Sequence, residues 1–263
     1  HPLNADTLGR LVSLFPVFTH FSEEALAAFI QSARARVIED SPRDFIIRSG
    51  APVDHLSFLI DGWAARYTVL SDSRRQVLSF MIPGSIVCIH ALSTSKLPFS
   101  VQALTPTVRI TFSIAAILEA SDNDRQFNRE FRSLAYVDRI GTEDTLTDLG
   151  RRSAAERLSR LFLKLYARML AANVEEGPSF TFPLRQHDLA DATGLTPVHI
   201  NRTLKQLRSD GVIRLKGGRI EFPDLNRLLS HASMTHAEFE ALEAPPPQRA
   251  QAMPGAAIFQ PAC

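Results

Sequence analysis

Thr196, His199, Asn201, Arg202 and Lys205 place hydroxyl, imidazole, amide, guanidinium and ammonium groups at helical spacing within one short run of the chain. Those are the groups that read DNA. An arginine donates two hydrogen bonds to a guanine edge, and an asparagine pairs with adenine in the major groove. Arg202 and Asn201 are the candidates for those roles, while Thr196 and the backbone N–H groups beside it suit phosphate. Arg214, Lys216 and Arg219 follow at positions that would bring positive charge near a phosphate backbone. Gln186 and Val198 complete the expected DNA-binding set. Any one of these residues alone is an ordinary solvated side chain; their joint spacing carries the assignment.

The elements needed to position them are legible in the run from Leu184 to Pro223, LRQHDLADATGLTPVHINRTLKQLRSDGVIRLKGGRIEFP. It predicts a helix, a sharp turn, a second helix and a two-stranded wing. Leu184, Leu189, Ala190, Leu195, Ile200, Leu204 and Leu207 are spaced to form one small core. Gly194 falls at the turn, where a left-handed backbone costs little only for glycine. Thr196 is placed to cap the second helix, and Pro197 suits its first turn, where no N–H is needed. Gly217-Gly218 marks the tip of the wing. The net charge of the chain is +1, but residues 151–230 carry 14 Lys+Arg against 8 Asp+Glu, whereas residues 1–150 carry 14 against 17. The positive excess coincides with the motif, as an electrostatic DNA footprint requires.

Upstream, residues 8–34 predict short helices, with Ser22 as an N-cap and Leu26, Phe29 and Ile30 as an apolar stripe. From Arg36 to Phe112 short β-rich runs recur: DFIIR, HLSFLI, AARYTVL, RQVLSFMI, SIVCIH, SVQAL and VRITF. Turn signals separate them, so an antiparallel sandwich or roll is expected. Asp61-Gly62 is expected as a hairpin turn and Pro83-Gly84 as another. Arg74-Arg75 is expected as a solvated hairpin pair, and Trp63 as core or interface. From Ile114 helical periodicity returns. Phe127, Phe131, Leu134, Val137 and Ile140 form the stripe of an amphipathic helix about thirty residues long. The stripe has two possible partners, its own β domain or a second copy of the helix; a helix that long outruns a small roll, which favours a dimer interface. Ser153-Ala-Ala-Glu156 is a capping box that starts a new helix, with Leu158, Leu161, Phe162, Leu165 and Met169 facing a core.

Taken together, these segments resemble the Crp/Fnr family of bacterial transcription regulators over about residues 10–230. DLADATGLTPVHINRTLKQL and LGRRSAAERLSRLF carry the resemblance most strongly. It implies an α+β architecture: an N-terminal antiparallel β-roll like a cyclic-nucleotide-binding domain, a long dimerisation helix and a C-terminal winged helix-turn-helix. The expected divisions are residues 1–116, 117–152 and 153–230, followed by a largely disordered Pro- and Ala-rich tail, 231–263. The implied partners are double-stranded DNA with a pseudopalindromic site, a second copy of the chain, and RNA polymerase. The family reads bases with an Arg-Glu or Val-Glu pair and a later Arg. Arg202 matches the later Arg, but Pro197 and Val198 stand where the pair would be.

The sensor departs from the family pattern too. Cyclic-nucleotide binders hold ribose with a Gly-Glu pair and the cyclic phosphate with an Arg-Ser pair. This chain has PGSIVCIHALSTSKLPFSVQAL there, with no arginine between Arg75 and Arg109. A phosphate inside a roll needs a fixed cation, so tight cyclic-AMP binding through the usual contacts is not expected. Cys88, His90, Phe99 and Ser100, with Thr142 and Glu143 on the long helix, are the candidate effector residues. The effector is unknown, and no cofactor is expected. Cys88-x-His90 is similar to the iron ligands of the carbon-monoxide-sensing haem branch, and on a strand the two would share a face. The plainer alternative is a buried thiol beside a hydrogen-bonded histidine. The iron–sulfur branch needs an N-terminal cysteine cluster, whereas only Cys88 and Cys263 are present, which fits a reducing cytoplasm.

Two other functions stay open at this stage. A winged helix can contact protein in place of DNA. An enzyme is not expected, because no Gly-x-Ser-x-Gly, His-Glu-x-x-His or phosphate-cradling glycine loop occurs. No apolar run reaches eighteen residues, so no membrane span is expected. The start lacks a basic region followed by an apolar one, so no signal peptide is expected, and it also lacks an initiator Met.

Overall fold

The computed structural model describes residues 3–174 and 177–243. The chain forms two compact units, divided between Phe131 and Arg132.

The first unit opens with α1 (Ala5–Leu14), capped by Asn4, and α2 (Glu23–Ser32), capped as expected by Ser22. Seven strands follow: β1 (Arg36–Asp40), β2 (Phe45–Ile47), β3 (His55–Asp61), β4 (Ala64–Val69), β5 (Arg75–Met81), β6 (Ser100–Ala103) and β7 (Thr107–Ser113). They make two antiparallel sheets, ordered β1-β7-β3 and β2-β6-β4-β5. The β-roll is therefore present, with three corrections to its parts. RVIED, with its alternating charges, escaped the sequence reading but forms β1. Its Asp40 receives both guanidinium arms of Arg109 at 2.8 and 3.1 Å. SIVCIH is not a strand: after a single bridge between Ile86 and Phe58, it turns into a 3-10 helix over Ile89–Leu92.

The third correction concerns Asp61-Gly62, which is not a hairpin turn. β3 pairs with β7, while β4 pairs with β5 and β6, so this turn carries the chain from one sheet to the other. Gly62 has φ +84, and a Cβ there would collide with the Pro106 carbonyl oxygen and come within 2.9 Å of Thr107 Cα. Close backbone approach is what the glycine permits. Pro83-Gly84 is a turn as expected, with the Ser85 N–H donating to the Ile82 carbonyl at 3.0 Å. Trp63 is buried.

The predicted long helix is α4 (Arg125–Arg151), 27 residues long, and a separate shorter helix, α3 (Ile114–Asn123), precedes it. α3 ends at Asp124, whose carboxylate caps α4 by accepting from the Gln126 and Phe127 N–H groups. The first turns of α4 belong to the roll. Phe127 and Phe131 are buried in an aromatic cluster with Phe18, Phe21, Phe29 and Phe58, at ring separations of 5.3–6.3 Å. Their spacing fits a dimer stripe, and the structure corrects that: the roll's own aromatics already cover them. Leu134, Val137 and Ile140 remain half-buried, and Leu146 is 71% exposed.

In the second unit α4 is followed by α5 (Ala154–Ala171), β8 (Ser179–Thr181), α6 (Gln186–Thr193), α7 (Pro197–Ser209), β9 (Arg214–Lys216), β10 (Arg219–Glu221), α8 (Leu225–His231) and α9 (His236–Glu243). The capping box is complete: Ser153 Oγ accepts from the Glu156 N–H, and Glu156 Oε2 accepts from the Ser153 N–H at 2.8 Å. The wing is three-stranded, β8-β10-β9, and not two-stranded. A disordered tail from residue 231 is also corrected in its first part, because Phe239 and Leu242 of α9 are buried and Phe239 stacks on Tyr166 of α5. The rest of that expected tail, 244–263, lies outside the described residues.

Candidate nucleic-acid interface

α6 ends at Gly194, which takes the left-handed conformation (φ 67, ψ 26) required by the sharp turn. Thr196 then caps α7, its Oγ1 accepting from the His199 N–H at 3.2 Å, with Pro197 in the first turn. The hydroxyl proton of Thr196 stays available for an outside acceptor. Ile200, Leu204 and Leu207 are buried on the side of α7 that packs against α6 and α5, which fixes its rotation. Its other face turns outward: Thr196, Val198, Arg202 and Lys205 are exposed, and His199 and Asn201 are half-buried. Gln186 is exposed at the start of α6. The residues expected to meet DNA are therefore displayed along one accessible helix, as a groove-reading helix must be.

The wing shares this pattern in part. Gly217 and Gly218 both take positive φ at its tip, as a two-residue hairpin turn of this kind demands. Lys216 stands exposed there. Arg214 pairs with Glu221 across the strands at 3.2 Å. Arg219 donates to the Ser179 carbonyl and to the Ser179 and Thr181 hydroxyls, so it also braces the third strand.

Several groups that position α7 were not among the sequence candidates. Arg157 on α5 donates to the Arg152 carbonyl at 2.9 Å and to the Thr193 carbonyl at 3.0 Å, one residue before the Gly194 turn. Asp144 and Asp148 on α4 face Arg160 and Lys164 on α5. Arg160 contacts the two acids at 3.1 and 2.8 Å, Lys164 contacts them at 2.6 and 2.5 Å, and Arg152 reaches Asp148 at 2.9 Å. Burial alone would raise the Asp144 carboxyl, but the Lys164 ammonium and the Arg160 guanidinium outweigh it and hold the acid below its ordinary value. A signal was present in the sequence: an acid pair four residues apart, then a basic pair four residues apart. Glu156 is held down at about 2, first by the Ser153 N–H and hydroxyl and then by the Ser233 hydroxyl.

The effector candidates fare differently. Cys88 is buried and His90 exposed, flanking the start of the 3-10 helix, so the shared strand face behind the haem idea is absent. Cys88 donates weakly to the His55 carbonyl, and burial pushes its thiol up to about 11, leaving it protonated at neutral pH. The His90 ring meets the edge of the buried Phe99 at 5.4 Å, and Ser100 Oγ accepts from the Ser49 N–H. Arg66 of β4, missed in the sequence reading, is buried with its guanidinium 5.4 Å above the Phe99 ring. Thr142 and Glu143 lie exposed on α4 in the second unit, where Thr142 donates to the Asp138 carbonyl and Glu143 pairs with Arg139.

Comparison with known proteins agrees with this geometry. A Crp-like helix-turn-helix domain matches residues 156–230, and a cyclic nucleotide-binding domain matches residues 37–124. The nitrogen fixation regulation protein FixK of Bradyrhizobium diazoefficiens is 30% identical over 172 residues, covering 65% of this chain and 70% of that protein. The transcriptional activator protein FnrL of Cereibacter sphaeroides is 27% identical over 191 residues, covering 71% and 76%. The solved structure of FixK2 from Bradyrhizobium japonicum superposes with a TM-score of 0.69 at 22% identity, covering 76% of this chain and 98% of that one. The chain belongs to the Crp/Fnr family of transcription regulators. Among the described residues no helix is long and apolar enough to cross a membrane.

Proposed function

We propose that two copies of this chain, paired along α4, bind a pseudopalindromic DNA site and regulate transcription there in the cytoplasm. The outward face of α7 is the observation that carries this reading. Its cap, turn and buried side are satisfied locally, and what remains exposed is a set of groups suited to bases and phosphate. Arg202 takes guanine, Asn201 takes adenine, and Thr196, Lys205 and the wing cations take phosphate. Pairing is supported by Leu134, Val137 and Ile140, which stay half-buried after Phe127 and Phe131 are claimed by the roll. Its similarity to FnrL, named a transcriptional activator, favours a contact with RNA polymerase once bound. The roll does not take cyclic AMP through the family's usual contacts, since Leu97, Pro98 and Phe99 stand where the gripping arginine and serine would be.

The test is selection of bound sites from a random duplex pool, with sedimentation of the enriched complex. An inverted repeat bound by two chains is expected, with an affinity that falls steeply with salt as Lys and Arg release counterions. A monomer that enriches no sequence would defeat the proposal and favour a winged helix that contacts protein.

A further inference from the structure

Val198 is an apolar side chain 81% exposed in the first turn of α7. Burial cannot account for it, since nothing in its own unit covers it. Asn201 and Arg202 follow three and four residues later, so the three side chains share one helix face. That face carries no counter-charge: the sequence has no Asp or Glu between Asp191 and Asp210. An isopropyl group can neither donate nor accept a hydrogen bond. Set against cytosine, adenine or guanine, it would strip water from a polar edge and return nothing. The thymine C5 methyl is the single apolar feature that a base pair presents in the major groove.

We propose that Val198 is a specificity-determining residue that packs on a thymine methyl, one in each half-site, beside the guanine held by Arg202. The assignment rests on the DNA-binding function proposed above. It replaces a hydrogen-bonded contact with an apolar one at this point of the interface, and it makes an A·T pair the preferred partner of the first turn of α7.

The experiment exchanges single thymines of the selected site for deoxyuridine, which removes the methyl and leaves every hydrogen-bonding group in place. At one position per half-site the exchange should weaken binding of the unaltered protein about fourfold, the worth of one buried carbon. Val198→Ala, a change at an exposed position that leaves the fold alone, should bind thymine and deoxyuridine sites nearly equally. Val198→Glu, in a repeated selection, should change the base at that same position and keep the guanine. If no thymine is sensitive, or if Val198→Ala keeps the full sensitivity, the assignment is wrong while the DNA-binding reading stands. If no sequence is enriched at all, the DNA-binding reading itself fails and this inference fails with it.

Discussion

The outward face of α7 and the Cys88–Ser100 segment of the roll both carry polar side chains, yet they deploy them in opposite ways. Along α7 the backbone is satisfied by Thr196 and the left-handed Gly194, and the long side chains point away from the protein. In the roll Cys88 is buried as a neutral thiol on a carbonyl, Phe99 fills the interior, and Ser100 serves the backbone of a neighbouring segment. The α7 face displays its chemistry, whereas Cys88, Phe99 and Ser100 consume theirs in holding the roll together. The difference teaches that exposure after local needs are met, and not residue type alone, marks a working surface.

The α4–α5 ion network sharpens this contrast with the largest expected effect, because its central pair, Arg160 and Asp148, is buried and ion-paired. Arg160→Met would leave Asp148 buried beside fewer cations, and removing one partner of such a pair costs about 3–5 kcal/mol. Denaturant titration of the full chain should show that loss. The double change Arg160→Met with Asp148→Leu should recover most of it, since a packed apolar pair replaces the charges without desolvating any. A single variant as stable as the parent would mean that the network does not hold α5 in place.

Arg202→Ala probes the displayed side and should do the reverse. Stability should hardly move, while binding at the selected site should fall by about 1–3 kcal/mol and binding to random duplex should fall less. Fluorescence anisotropy on the two duplexes measures both. Equal losses on each would reduce Arg202 to a phosphate contact and weaken the contrast.

The parts of the molecule that were legible beforehand follow the same line. The turn glycine, the Thr196 cap, the Ser153–Glu156 box and the face of α7 are set by contacts within four residues, and helical spacing states such contacts directly. What was missed depends on register between distant strands. β8 becomes a wing strand only because Ile220 pairs with Phe180, and β1 only because Val37 pairs with Ile110. The Asp61-Gly62 turn has the sequence of a hairpin, and only the pairing of β3 with β7 shows that it changes sheets. Phe127 and Phe131 fit a dimer stripe by spacing, and the Phe-rich roll that covers them is assembled from residues far away in the chain, from Phe18 to Phe58.

Glu156 gives a smaller effect at the junction between the long helix and the DNA-binding helices. Its acid is held at about 2 against an ordinary 4.5, so its charge stabilises the fold at neutral pH. That contribution is complete above about 4.5 and is lost as pH falls toward 2. Glu156→Gln keeps an acceptor for the Ser153 N–H but removes the charge. At this partly exposed site the parent should exceed the variant by less than about 1 kcal/mol at neutral pH. The gap should close across the acid window, and a gap independent of pH would show that the charge plays no part.

The smallest expected effect is none, and it bears on the consumed side of the comparison. Cyclic AMP in excess should leave the thermal midpoint of the full chain unmoved, because a ligand stabilises a fold only by binding it. The usual gripping segment offers Leu97, Pro98 and Phe99, and Ser100 beside it already accepts a backbone hydrogen bond. A buried cation beside that segment, Arg66, lies above Phe99. A midpoint that rises with cyclic AMP, and ceases to rise in Arg66→Met, would relocate the phosphate grip from the family's segment to β4. The roll would then display chemistry after all, and the contrast with α7 would hold only for the Cys88–Ser100 segment.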